Sequence, residues 1–271
     1  MNHYTKKGIV LTLTGGVLFI LLAFCAPQAG NNVSTAEIEA ASSVDKVSHE
    51  IWDGLAKKYI NDKGLVDYKG LKKDVKTLDS YLGMLGKNPP KDSWSQDEKI
   101  AYWINAYNAN TVKLILDYYP VKSIKDIGSS IQIPFVTTPW AKKFIKIGNE
   151  TMSLDNIEHG TLRKDFNEKR IHFALVCAAM SCPRLRNEAY TPEKLDAQLN
   201  DQGNDFLNNP AKNKIDPKKS QLSKYFDWYK GDWKDDDKSV VSWVNRYSKT
   251  KISKDTEISF LGYNWALNEQ K

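Results

Sequence analysis

The sequence predicts an α+β fold, a single mostly helical domain packed on a small β-sheet and spanning residues 44–271. Three observations predict it. Apolar residues recur at helical spacing through several long stretches, whereas strand-like alternation is confined to short ones. After residue 43 there is neither an internal repeat nor a linker-like run. The 271 residues, with 41% hydrophobic and 27% charged, allow a sizeable core of ordinary globular composition without disulfide staples.

Residues 1–30 precede that domain. Lys6 and Lys7 are followed by an uncharged, mostly apolar run from Gly8 to Ala26, an export-signal pattern. Leu22-Ala23-Phe24-Cys25 resembles a bacterial lipobox with Cys25 as the acylated residue, although Phe24 departs from the small residue that belongs there. No small-x-small cleavage site follows, because Phe24 and Pro27 stand two residues before Ala26 and Ala29. The run also approaches the roughly 20 residues of a membrane span. Lipoprotein, secreted chain and uncleaved anchor all stay open, and each puts the protein in the cell envelope, membrane-attached or periplasmic. Residues 31–43 read as a small polar tether.

Val44, Val47, Ile51, Leu55 and Tyr59 form a first helical stripe. Gly64 and Val66-Asp67-Tyr68 mark a turn or short strand, and a second helix covers Leu71–Leu85, closed by Asn88-Pro89-Pro90. The strongest helix follows. Ser95 and Glu98 have capping-box spacing, and Ile100, Trp103, Ile104, Tyr107, Thr111, Leu114, Ile115 and Tyr118 recur at i, i+3, i+4 up to Pro120. Gly148-Asn149 is the turn of a hairpin over 143–152, after which Ser153 caps a short helix to about Arg163. Arg170–Cys177 reads as a buried strand. Thr191-Pro192-Glu193 opens a helix that Asn208-Asn209-Pro210 ends. An aromatic-rich segment (222–233), a helix over 239–247 and one or two strands within 258–267 complete the chain.

Charge narrows the partners. The net value is +6, and removing Lys6 and Lys7, the only charges of the leader, leaves +4 without a basic block long enough for a nucleic-acid groove. No nucleic acid and no cofactor are expected. The expected partners are a small molecule or peptide, with the membrane reached through the N-terminal lipid or anchor.

Candidate chemistry gathers around the stretch RIHFALVCAAMSCP, residues 170–183. Cys182 lies in a Ser-Cys-Pro turn, where the N–H dipoles of a following helical turn would favour a thiolate. A thiol nucleophile needs a base and a group to orient it. His159 and His172 are the candidate bases, and Glu158 and Asn105 the candidate orienters. Glu158 shares the inward face of its helix with Leu154, Ile157, Thr161 and Leu162, so its carboxyl must be paired, with Arg163 as a candidate partner. Cys177 reads as a core residue, since a free cysteine packs as a small hydrophobe. A disulfide to Cys182 and a redox dithiol are the alternatives. A zinc site on His159, His172, Cys177 and Cys182 is disfavoured because side chains on a strand alternate, and no metal is expected. Asn105 and Asn108 interrupt the apolar helix and must find partners for donors and acceptors alike.

The motifs AYWINAYNANTVKLILDYYPVKSI, SLDNIEHGTLR, RIHFALVCAAMSCPRLRNEAY and SKYFDWY resemble domain-of-unknown-function family 547 in order and over about His49–Leu267. Its members include exported bacterial proteins and eukaryotic proteins fused to glutaredoxin-like or leucine-zipper segments. The resemblance implies sites rather than a reaction, because the family has no established general activity. Its pattern includes Asn105, Asn108, Glu158, Arg163, His172 and Cys182, and supports Cys177 less. The cysteine–histidine arrangement is similar to that of papain-like and transglutaminase-like enzymes only by analogy.

Two expectations follow. One is a cysteine-dependent hydrolase or acyltransferase of amide or ester bonds, with Cys182 as nucleophile, His172 or His159 as base, and Glu158 or Asn105 as orienter. The other is a non-catalytic binding module whose cleft is lined by Trp103, Tyr107, Trp228 and Tyr229, with Asn108 among the binding residues and Glu158–Arg163 as an internal ion pair.

Overall fold

Five helices carry the fold: α1 (Glu50–Tyr59), α2 (Val75–Lys87), α3 (Gln96–Tyr118), α4 (Leu195–Asn208) and α5 (Val240–Tyr247). The computed structural model describes residues 46–128, 133, 136–234 and 239–271. The leader with Cys25, and the whole tether, lie outside the described residues. Strands are short. β1 (Ile145–Ile147) and β2 (Glu150–Met152) form an antiparallel hairpin, and β3 (Lys219–Leu222) pairs in parallel with β4 (Glu257–Phe260). The α+β, mostly helical expectation holds. Among the described residues no helix is long and apolar enough to cross a membrane.

Helix α3 is the axis of the main core. Its capping box is formed in both directions, Ser95 Oγ accepting from the Glu98 N–H and the Glu98 carboxylate from the Ser95 N–H. From Ile100 to Val112 every residue is buried, so the helix is enclosed on all sides rather than amphipathic. Helix α2 packs against it and α1 against α2, with Trp52, Leu55, Leu78, Tyr81 and Leu85 in the shared core. On α1 the first stripe is rotated from expectation. Ile51 is exposed while Trp52 and Ala56 face the core, because a bulky indole has more apolar area to bury than an isoleucine. A second, aromatic cluster joins Phe173, Phe206, Phe226, Trp233, Trp243 and Tyr247.

The expected strand over 170–177 is absent. Lys169–Phe173 forms a 3-10 turn, and the chain to Tyr190 runs irregularly although it is largely buried. Its polar backbone is satisfied by side-chain amides in place of a neighbouring strand. Asn108 donates to Ala174 O at 2.9 Å and accepts from the Val176 N–H at 3.0 Å. Asn105 makes the same pair of bonds to Tyr190, at 2.8 and 2.9 Å. From α4, Gln202 donates to Phe173 O and Arg184 O, while Gln198 donates to Ala189 O and accepts from the Thr191 N–H. An apolar run does not by itself distinguish a strand from any other buried segment.

The C-terminal tail closes the fold over this stretch. Met180 N–H donates to Ala266 O, Asn268 N–H to Ala178 O and Val66 N–H to Asn268 O.

Candidate functional site

A cavity of about 440 Å³ opens between α3, the helical segment after Ser153, the 170–177 stretch and the aromatic turn Tyr225–Trp228. That volume lies within the roughly 300–1,000 Å³ of small-molecule sites. One wall is aromatic. Trp228, 46% exposed, stacks on Trp265 with centroids 5.8 Å apart, and Trp140 lies 5.6 Å beyond Trp265. Tyr107, Tyr225 and Tyr229 continue the lining.

The charged part of the lining comes from one widened helical segment. Ser153 Oγ accepts from the Asn156 N–H, and Asn156 Oδ1 accepts in return from the Ser153 N–H. Over Asn156–Leu162 the helix takes π spacing, with the Arg163 N–H reaching Glu158 O. Asp155, Glu158, His159 and Arg163 thereby share one face and all line the cavity.

Arg163 does not pair with Glu158, as expected, but with Asp232. Its Nε and Nη2 contact the two carboxylate oxygens at 2.7 and 2.8 Å, a bidentate geometry that a planar guanidinium fits better than any single contact. Nη1 donates to His159 Nδ1 at 2.8 Å. Asp232 Oδ2 also accepts from His172 Nε2 at 2.8 Å. Burial alone would raise the Asp232 carboxyl, yet the bonds from His172 and Arg163 outweigh it and hold the group well below the usual carboxylate range. His172 is 1% exposed, stacked 3.9 Å from the Tyr229 ring. Burial lowers its pKa despite the opposing Asp232 bond, which favours a neutral ring with the proton on Nε2.

Glu158 is buried at 6% exposure, and its Oε1 accepts from the Tyr229 hydroxyl at 2.6 Å. Burial, reinforced by the Glu158 carboxylate, pushes the Tyr229 and Tyr107 phenols well above their ordinary value, so both remain donors. Burial also raises Asp155, whose Oδ1 lies 3.9 Å from His159 Nε2.

Cys182 is corrected on two points. It is fully buried and joined to Cys177 in a disulfide, with Cα atoms 6.2 Å apart. The reversal that brings them together turns on Ala178, whose φ of 55° lies in the left-handed region. A disulfide sulfur is no thiolate, and Cys182 borders a different pocket, beside Arg184 and Lys212. Cys177 is the sulfur that lines the cleft, 3.1 Å from the Tyr263 hydroxyl.

Of the other expected residues, Glu158, His159, Arg163, His172, Tyr107, Trp228 and Tyr229 converge on the cleft. Asn105 and Asn108 are engaged with backbone, so Asn105 orients no base. Trp103 borders a separate surface pocket with Met152 and Phe166. Sequence reasoning missed Asp155, Asp232, Thr138, Trp140 and Trp265. Asp155 was within reach, since it lies three residues before Glu158 on the same helical face. Asp232, in an acid-rich stretch with no periodicity, carried no such signal.

Residues 91–207 match a family model described as Protein of unknown function, DUF547. The chain carries a DUF547 domain. No curated protein and no solved structure matches the chain. The DUF547 match contains Tyr107, Trp140, Asp155, Glu158, His159, Arg163, His172 and Cys177. Tyr225, Trp228, Tyr229 and Trp265 lie beyond it, as does Asp232 that holds Arg163 and His172, so the cleft combines the DUF547 domain with the chain that follows.

Proposed function

We propose that this protein is a binding module that captures a small molecule or an exposed side group in the cleft beside Glu158. The observation that carries the reading is the cleft itself: a cavity of about 440 Å³ lined by indole and phenol rings and by the carboxylates of Asp155 and Glu158. Large rigid rings supply contact area at low entropic cost, and a few buried polar groups fix orientation. The test is ligand-observed NMR with a mixture of small polar and charged compounds on the full chain and its Trp228→Ala variant. Trp228 is half exposed, so its loss leaves the fold intact; compounds that bind wild type and not the variant support the reading. Equal binding to both proteins, or to neither, overturns it.

The cell envelope is the proposed location. A disulfide in the cleft wall supports an oxidising compartment, as does the export-signal pattern of residues 1–30. Membrane attachment through a lipid on Cys25 would be read by incorporation of labelled fatty acid, lost in Cys25→Ser.

A second reading rests on one observation, that Cys177 lines the same cleft as the Asp232-held His172. Reduction by an external dithiol would free the Cys177 thiol for a cysteine-dependent hydrolase or acyltransferase. Ester hydrolysis that appears only after reduction and is lost in Cys177→Ser would favour it over simple capture.

A further inference from the structure

We infer that the ligand of this cleft is an organic cation of the alkylated ammonium class, held between the indole wall and the carboxylates of Asp155 and Glu158. The inference rests on the binding-module reading and supplies its ligand chemistry.

An inventory of charge leads to it. The side chains facing the cavity include one guanidinium, Arg163, and its charge is already paired. All three of its nitrogens donate, two to Asp232 and one to His159. The Arg163–Asp232 pair is therefore neutral toward a ligand. A guanidinium can only donate, so His159 Nδ1 is an acceptor. His172 turns its Nε2 proton to Asp232. The charged groups left over are Asp155 and Glu158, both acidic, on the wall of a protein whose net charge is +6. The local sign is thus opposite to the global one.

Hydrogen-bonding capacity points the same way. The Tyr229 hydroxyl is committed to Glu158, and the Tyr263 hydroxyl at the cleft margin lies against the sulfurs of Cys177 and Cys182. An anion would meet two carboxylates. A neutral polyol could donate to the same carboxylates and stack on the rings, so a neutral disaccharide is the control that separates it from a cation.

The rings supply the attraction a soft cation needs. Trp140, Trp228 and Trp265 form a connected series, with neighbouring centroids 5.6 and 5.8 Å apart. Rings of this cluster already hold cations: the Arg163 guanidinium lies 5.3 Å from the Tyr229 centroid, and Lys125 Nζ lies 5.2 Å from that of Trp265. An ammonium whose hydrogens are replaced by methyl groups is weakly hydrated. It gains from ring faces and from nearby negative charge without needing directed hydrogen bonds.

The same head group could arrive as a free small molecule or on a lipid. Calorimetric titration of the full chain with choline and tetramethylammonium, beside the neutral tert-butyl isostere of choline and a neutral disaccharide, tests the class. Both cations should bind, and choline at least about tenfold more tightly than its isostere. Trp228→Ala and, separately, Asp155→Asn should each weaken choline about tenfold, the second without affecting the isostere. Glu158→Gln serves as a further check if Asp155→Asn fails to fold. Co-sedimentation with phosphatidylcholine but not phosphatidylglycerol vesicles would assign the lipid source, and binding of free choline alone the soluble one. A disaccharide or the isostere binding as well as choline would overturn the cation assignment and leave the binding module standing. If none of these probes binds while unrelated compounds show Trp228-dependent binding, the cation assignment alone falls; if nothing binds in a Trp228-dependent way, both fall.

Discussion

Asp232 holds His172 and Arg163 at once: its Oδ2 lies 2.8 Å from His172 Nε2 and 2.7 Å from Arg163 Nε. Asp232 lies 69 residues beyond Arg163 and 60 beyond His172, and its one carboxylate joins the π-helical segment to the stretch that follows it. Removing that charge should be costly. Asp232→Asn is expected to lower stability by about 3 kcal/mol, since it leaves a part-buried guanidinium without its counter-charge. Urea denaturation at neutral pH measures this. A double-mutant cycle with Arg163→Leu should return a coupling above about 1 kcal/mol; a coupling near zero would mean that the pair is ornamental.

The disulfide closes a short loop, Cys177 to Cys182, with a sequence separation of 5. In the chain-entropy account such a loop contributes about 2 kcal/mol. Adding a dithiol should therefore lower the denaturation midpoint of wild type and leave that of a Cys177→Ser, Cys182→Ser double variant unchanged. Intact mass under non-reducing and reducing conditions shows whether the bond is present.

Asn105 and Asn108 should act on stability, not on ligand binding. Replacing either by leucine strands a buried N–H and a buried carbonyl of the irregular segment, at about 2–3 kcal/mol. Denaturant unfolding reads the loss. The affinity of the folded fraction for any cleft ligand should stay within about twofold, because neither side chain borders the cavity.

Mild acid should weaken the fold through His49. Burial lowers this imidazole from 6.5 to about 4, with Nδ1 2.7 Å from the Tyr81 hydroxyl. Between those values the unfolded chain binds the extra proton, so the contribution is full above about pH 6.5 and is lost as the pH falls toward 4. By pH 5 the loss is about 2 kcal/mol. Buried His172, also lowered, adds in the same direction. The drop in stability from pH 7 to pH 5 should shrink in His49→Gln; an unchanged drop would assign it to other groups.

Ser95→Ala should cost about 1 kcal/mol, because it removes the hydroxyl that satisfies the Glu98 N–H at the head of α3. Thermal unfolding detects the change, and Ser95→Asp should largely avoid it.

Much of the local structure was legible in the sequence. The Ser95–Glu98 spacing announced α3, Gly148-Asn149 the hairpin of β1 and β2, and Ser239 the start of α5. Each depends on residues a few positions apart, and their hydrogen bonds close locally. Glu158 was legible as inward-facing, with Arg163 a candidate partner, because helical spacing fixes which side chains are neighbours. The π spacing that sets His159 and Arg163 beside it was not legible. Nor were their partners. The Glu158–Arg163 pair was a sensible expectation at short range, and a more distant carboxylate took the guanidinium.

What the sequence alone determined is therefore the set of helices, the hairpin and the helical half of the cleft. Tertiary structure decided the rest. It turned 170–177 from a strand into an irregular segment, because the groups beside its backbone are amides of α3 and α4. It folded Cys182 back onto Cys177 through a left-handed Ala178, and it brought Trp228 and Trp265 across the chain to complete the cleft, with Asp232 behind Arg163 and His172 to hold them. Periodicity records which face of an element is buried. Which distant residue meets that face depends on the path of the whole chain, and no local pattern encodes it.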